Sequence, residues 1–281
     1  MPARASTATE TALFAPDGEL FVPTDYARGP WSPDALHGGP VAALVARAVE
    51  GCHPEGPMLV TRLTVELLRP VPVAPLAVTA TVVRPGRRVQ LVDVHLSAAG
   101  QELASARALR IRTLEDGDPA ADGLAAVTAV GPAPDRDPVA PPGPDHGHVT
   151  ATPRRGYRAF HSAGAELRFV GGEFDGRGPA TVWVRLAVPV VPGETPSPCQ
   201  RVAAAADFGN GVSSLLAFET HLFINPDLTV YLSRPAVGEW ICLDARTTLG
   251  TPGVGLAHSA LWDVRGPIGR SIQGLMVERR I

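Results

Sequence analysis

Two short stretches of this 281-residue chain carry residues whose types and spacing could do chemistry. Asp207 follows four alanines in an apolar run that holds no further charge until Glu219. An ionisable group in such surroundings needs a partner or a purpose, and a carboxylate there can act as general base toward water. It can equally be a hydrogen-bonded structural residue at a helix end, because Phe208-Gly209-Asn210-Gly211 follows at once. The second stretch is His37-Gly38-Gly39, directly before the apolar segment 40–50. Glycines there let a ligand approach the backbone, and the free N–H groups and dipole of a helix N-terminus would stabilise an oxyanion. A loop that merely needs a tight turn, with His37 capping or packing, explains the same residues.

Several other chemistries are excluded. There is no GxSxG elbow, no Walker-type phosphate loop, no GxGxxG after a strand and no HExxH. All 25 cationic side chains are arginine, so no lysine can form a Schiff base. The eight histidines are scattered, and the close pair His146 and His148 falls in a Pro-rich stretch where chance proximity outweighs metal binding. A formal net charge of -3 offers no basic field for a phosphate backbone or an anionic membrane, so nucleic acid is not an expected partner. Cys52, Cys199 and Cys242 are an odd number in no CxxC arrangement, which suits a reducing compartment. With no signal-length apolar core at the N-terminus and no run near the roughly 20 apolar residues of a membrane span, the expectation is a cytoplasmic protein.

The elements that must position these residues come in two sets. Residues 114–155 mix Pro, Gly, Asp and Ala without a hydrophobic period and read as a linker, leaving repeats at 1–113 and 156–281. In the first repeat a short strand region near 18–22 and a helix at 40–50 precede alternating, strand-like runs at 60–68, 77–84, 89–98 and 103–112. The second repeats that order: strands at 165–169 and 180–188, an apolar helix over 201–218, then strands at 228–232, 240–247, 255–263 and 270–277. Leu63-Thr-Val-Glu-Leu-Leu-Arg-Pro70 is echoed by Leu228-Thr-Val-Tyr-Leu-Ser-Arg-Pro235, which supports duplication. A sheet with one apolar helix across it buries both surfaces, and two copies can join edge to edge.

Laying the two helices over one another without gaps sets Val41–Ala48 against Val202–Gly209. Ala46 then matches Asp207, and His37-Gly38-Gly39 matches Pro198-Cys199-Gln200. One copy keeps glycines and has no acid; the other has the acid and no glycines.

The stretch from Leu36-His-Gly-Gly-Pro through Thr61-Arg-Leu-Thr-Val-Glu resembles the N-terminal half of the acyl-CoA thioesterase II (TesB-like) family. Pro196-Ser-Pro-Cys-Gln, Ala204-Ala-Ala-Asp-Phe-Gly-Asn-Gly, the second Leu-Thr-Val element and Ser271-Ile-Gln-Gly-Leu-Met-Val resemble its C-terminal half. The resemblance implies an α+β double hotdog, two fused repeats each with a long helix wrapped by an antiparallel sheet. It also implies hydrolysis of acyl-CoA, or another acyl thioester, to free acid and thiol with no metal and no cofactor. In that family an Asp, a Gln and a Thr hold the hydrolytic water. The Asp carries over to Asp207 and the Gln to Gln273, whereas the Thr position falls on Asn225, a departure that keeps an amide but loses a hydroxyl. Asp207 is expected to take a proton from water held by Gln273 and Asn225. The backbone N–H of Gly39 or its neighbour would receive the developing charge, with His37, Gly38 and Gly39 at the substrate and Leu44, Val45, Leu215 and Phe218 lining an apolar site. Homo-oligomerisation is compatible with this reading.

Two alternatives stand beside it. A hotdog hydratase or dehydratase pairs a His with its acid, five residues on along the helix, but that position is Val212. A non-catalytic double hotdog that holds an acyl chain or acyl-CoA is kept open by Asn225.

Overall fold

In the computed structural model, residues 11–52, 54, 56–114, 139–150, 156–174 and 176–280 are described. Strand alternation is plain in the burial of the middle strands: Gln90, Val92, Val94 and Leu96 point inward from one strand, while Asp93 and His95 do not. The first half runs β1 (Phe14–Asp17), β2 (Leu20–Pro23), α1 (Gly38–Gly51), β3 (Met58–Leu67), β4 (Leu76–Arg84), β5 (Val89–Ala98) and β6 (Gln101–Arg112). Gly18, at φ 61°, turns β1 into β2, a left-handed conformation that glycine adopts without strain. The second half runs β7 (Ala165–Gly171), β8 (Ala180–Leu186), α2 (Pro198–Ala206), α3 (Phe208–Val212), β9 (His221–Ile224), β10 (Asp227–Leu232), β11 (Ile241–Leu249), β12 (Val254–Asp263) and β13 (Gly266–Arg279).

The strands form one sheet in the order β1-β2-β4-β5-β6-β3-β10-β13-β12-β11-β8-β7, with β9 on β13. Read outward from its centre, the order is the same in both halves. The join is antiparallel between β3 and β10, pairing Leu63 with Val230, Thr64 with Thr229 and Val65 with Leu228. The repeated Leu-Thr-Val thus pairs with itself, and the Thr64 and Thr229 hydroxyls hydrogen-bond at 3.2 Å on an approximate two-fold axis.

Helices α1 and α2 lie antiparallel in the core. Glu50, near the end of α1, accepts from Ser197 Oγ (2.7 Å) and Gln200 Nε2 (2.9 Å) at the start of α2. Alanines at 42, 43 and 46 and at 203–206 are all buried, and such small residues allow close helix approach.

The apolar run 201–218 is not one helix. α2 starts earlier, at Pro198 behind the Ser197 cap, and stops at Ala206; α3 covers only Phe208–Val212. Beyond it the Ser213 and Ser214 hydroxyls bond the nearby backbone at Gly209 O and Leu216 O, competing with helical hydrogen bonding. Of the stretch 114–155, residues 115–138 and 151–155 lie outside the described residues. Its part 139–150 lies on the sheet: Trp183 Nε1 donates to Pro142 O (2.7 Å), and His148 exchanges backbone bonds with Phe169. It covers a cluster of Trp183, Cys242, Ala260 and Trp262 on the face away from the helices. Among the described residues no helix is long and apolar enough to cross a membrane.

Candidate active site

Antiparallel packing of α1 and α2 brings the end of α2 to the start of α1, and the two stretches with chemical potential meet there. Asp207 is the residue between α2 and α3. A Cβ on Gly38 would stand 2.7 Å from Asp207 Oδ2, so the missing side chain makes room for the carboxylate. His37 occupies the position just before α1, and its Nδ1 lies 2.8 Å from Asp207 Oδ2. Asn225 Nδ2 donates to Asp207 Oδ1 at 2.8 Å and to Asp227 O at 3.2 Å. Gln273 Nε2 reaches Asp207 Oδ1 and O, both at 3.3 Å, while its Oε1 accepts from the Asn210 N–H.

Only 7% of Asp207 is exposed. Burial by itself pushes its carboxyl up, but His37, Asn225 and the Gly39 N–H together outweigh burial and hold it below the usual carboxylate range. His37 Nδ1 also lies 3.1 Å from the Gly39 N–H, and one nitrogen cannot donate to Asp207 and accept from Gly39 at once. An ionised carboxylate only accepts, so the tautomer with hydrogen on Nδ1 satisfies Asp207, and the Gly39 N–H then supports the carboxylate.

Asp207, His37, Gly38 and Asn225 line a cavity of about 610 Å³ between the two halves. That size suits a small-molecule site. Leu36, Val41 and Leu67 of the first half and Phe218, Phe223 and Met276 of the second make much of the wall apolar. Trp31 stacks on Phe218 with ring centroids 4.4 Å apart and meets Phe223 edge-on.

Several sequence expectations change in detail. Gln273 is 1% exposed and sits behind Asp207 instead of on the cavity wall. Gly39 gives its N–H to the His37–Asp207 pair, and its missing side chain is required by Ala204 O, 2.6 Å from where a Cβ would be, and by the Phe160 ring. Leu44 and Val45 are sealed in the core, and Leu215, 38% exposed, lies off the cavity; Phe218 does line it. A histidine does accompany the acid, supplied by the other half and not by position 212. Sequence reasoning missed that pairing because nothing local joins residues 170 positions apart (207 − 37). It also passed over Trp31, whose signal was a large aromatic in a Pro-flanked loop, Pro30-Trp31-Ser32-Pro33.

Comparison with known proteins decides the family. The profile of the acyl-CoA thioesterase C-terminal domain matches residues 134–277, and that of the N-terminal domain matches residues 27–111. The chain belongs to the acyl-CoA thioesterase family. Its TesB-like members are thioester hydrolases, and so is this chain. No curated protein matches it in sequence. Solved structures show a shared hotdog-type fold. A structure described as a thioesterase II from Thermobifida fusca is 18% identical over 97% of this chain and 96% of that one, with a TM-score of 0.70. A conserved hot dog fold protein from Alicyclobacillus acidocaldarius is 19% identical, covering 99% of each chain, with a TM-score of 0.69. The acyl-CoA thioesterase II TesB2 from Mycobacterium marinum is 17% identical over 88% of this chain and 90% of that one, with a TM-score of 0.59. In this acyl-CoA thioesterase, the matched N-terminal domain contains His37 and Gly38, and the matched C-terminal domain contains Asp207, Asn225 and Gln273.

Proposed function

We propose that this thioesterase is a double hotdog, with repeats at 1–113 and 156–281, that hydrolyses an acyl-CoA in the cavity between them. The observation that carries this is a buried Asp207 from one half seated against Gly38 and His37 of the other, on the wall of a largely apolar cavity. Asp207 supplies the negative charge that draws a proton from water. Asn225 spends both amide hydrogens on Asp207 and Asp227, so its Oδ1 is the atom available to accept from that water. Gln273 holds the carboxylate from behind. With the Gly39 N–H engaged, the Gly38 N–H, a first-turn donor with no intrahelical acceptor, is assigned to the developing oxyanion. A thiolate leaves readily, so no strong acid is required. The three free cysteines fit action in the reducing cytoplasm.

Free CoA released from a panel of acyl-CoAs tests the reading. Asp207→Asn should lower kcat by at least about 100-fold with the fold retained. Unchanged turnover in that variant would remove Asp207 from the mechanism. Binding without CoA release across the panel would leave a binding protein, and loss or gain of enoyl-CoA absorbance without CoA release would leave a hydratase.

A further inference from the structure

We propose that the atom receiving the proton from the hydrolytic water is Nε2 of His37, with Asp207 as its buried counter-charge. This rests on thioester hydrolysis being the reaction. Asp207 is ringed by donors. Its Oδ1 accepts from Asn225 and Gln273, and its Oδ2 from His37 Nδ1–H, with the Gly39 N–H beside it. Two carboxylate oxygens offer about four lone-pair positions, so little acceptor capacity is left for a water proton. The same donors favour the ionised form, which makes the carboxylate a weak base.

The ring beside it is arranged differently. His37 is held between Phe160, 5.1 Å away and edge-on, and Phe208, 4.9 Å away and tilted, with Nδ1 turned to Asp207. Nε2 then stands on the opposite side of the ring. No hydrogen bond to it is found among the described residues, and the side chain keeps 10% of its surface exposed. His37 itself lines the cavity. With hydrogen on Nδ1, Nε2 carries the free lone pair, and a buried acid orients the imidazole and stabilises the imidazolium formed on it.

The step balances. A water O–H bond breaks, and its proton goes to the Nε2 lone pair while the hydroxide oxygen bonds the thioester carbonyl carbon. The tetrahedral intermediate re-forms C=O and breaks C–S, and the departing thiolate takes the proton from Nε2–H. Neutral His37, the CoA thiol and a carboxylic acid result, the acid losing its own proton to solvent. The two halves then divide the labour, one supplying the base and the other the charge that orients it.

Two substitutions test this. In His37→Asn the amide nitrogen can take the place of Nδ1 and keep the bond to Asp207, but nothing replaces Nε2. We expect kcat to fall at least about 100-fold with KM and melting temperature little changed. In His37→Ala, added imidazole should return part of the turnover, a response that a purely positioning histidine would not give. Near wild-type kcat in His37→Asn, or a folded His37→Ala that imidazole does not restore, would overturn the proposal and leave the carboxylate as the base. A wild-type chain that releases no CoA from any acyl thioester would instead defeat the hydrolytic reading itself.

Discussion

At the scale of single residues, the site depends on one absent side chain and one amide. Gly38 is adjacent to the carboxylate, and its replacement by Ala would put a methyl 2.7 Å from Asp207 Oδ2. Gly38→Ala is therefore expected to displace Asp207 and lower kcat by about 100-fold, comparable to losing acid–base assistance altogether. Steady-state rates beside a melting curve separate this from unfolding. Asn225 is a finer adjustment. Replacing it with Leu removes a donor to a charged acceptor, an interaction of about 1.5–3 kcal/mol, so kcat should drop about 10- to 100-fold. Asn225→Thr restores a hydroxyl and should keep more activity than the Leu variant in the same assay. If Asn225→Leu turns over like wild type, Asn225 does not hold the water.

At the scale of elements, the antiparallel helix pair has two ends, and they differ. One end carries Gly38 and Asp207; the other carries Glu50, which is tied to Ser197 and Gln200. By helix alignment Asp207 corresponds to Ala46, and counting back from the repeated Leu-Thr-Val, Asn225 corresponds to Val60. Thr64 pairs with Arg107 and Thr229 with Ile272, so the next positions, Ala108 and Gln273, correspond as well. Where one end has three polar groups, the other has Ala46, Val60 and Ala108, with a void of about 10 Å³ beside Val60 and Cys199. That end is core. Gly39 belongs to the packing of the pair, since a Cβ there would lie 2.6 Å from Ala204 O. Gly39→Ala should cost about 1–3 kcal/mol of stability through overpacking, read as a shift in denaturant midpoint. An unshifted midpoint would mean that the helices can part without cost.

At the scale of the whole molecule, acid should unfold the protein through its buried carboxylates. Asp263 has a fully buried side chain that accepts from Arg234 (2.8 Å) and from the N–H groups of Val237, Arg265 and Gly266. Burial raises its carboxyl, and Arg234 with the backbone donors more than offsets that, as His37 and Asn225 do for Asp207. Both folded carboxyls thus lie below their unfolded values. Their contribution is fully present above the unfolded carboxylate range near pH 3.9 and is lost as pH falls through the depressed folded values. Melting temperature should therefore hold from pH 7 to about 5 and fall steeply below about 4. In Asp263→Ala the stability at pH 7 should already be lower by about 3–5 kcal/mol, because Arg234 loses its partner and the turn donors their acceptor. A wild-type melting temperature that does not fall in acid would contradict the assignment.

Local chemistry explains what was legible in the chain alone. Strand alternation follows from the two-residue period of an extended backbone, so most strands could be placed, and the helix of the first half began where His37-Gly38-Gly39 indicated. The echo of Leu63-Thr-Val in Leu228-Thr-Val was visible because the two stretches are alike, and the structure pairs them antiparallel, Thr64 opposite Thr229. Asp207 stood out because a charge in an alanine run is costly unless it is met. The family resemblance set Asn225 and Gln273 with it, but its contact with His37 was not legible. His37 reaches Asp207 only because two helices distant in sequence pack antiparallel, and Gln273 passes behind the acid only because β13 lies next to β10 in the sheet. Periodicity records which face of an element is buried; which buried faces touch, and which side chains come to line one cavity, is decided by tertiary packing.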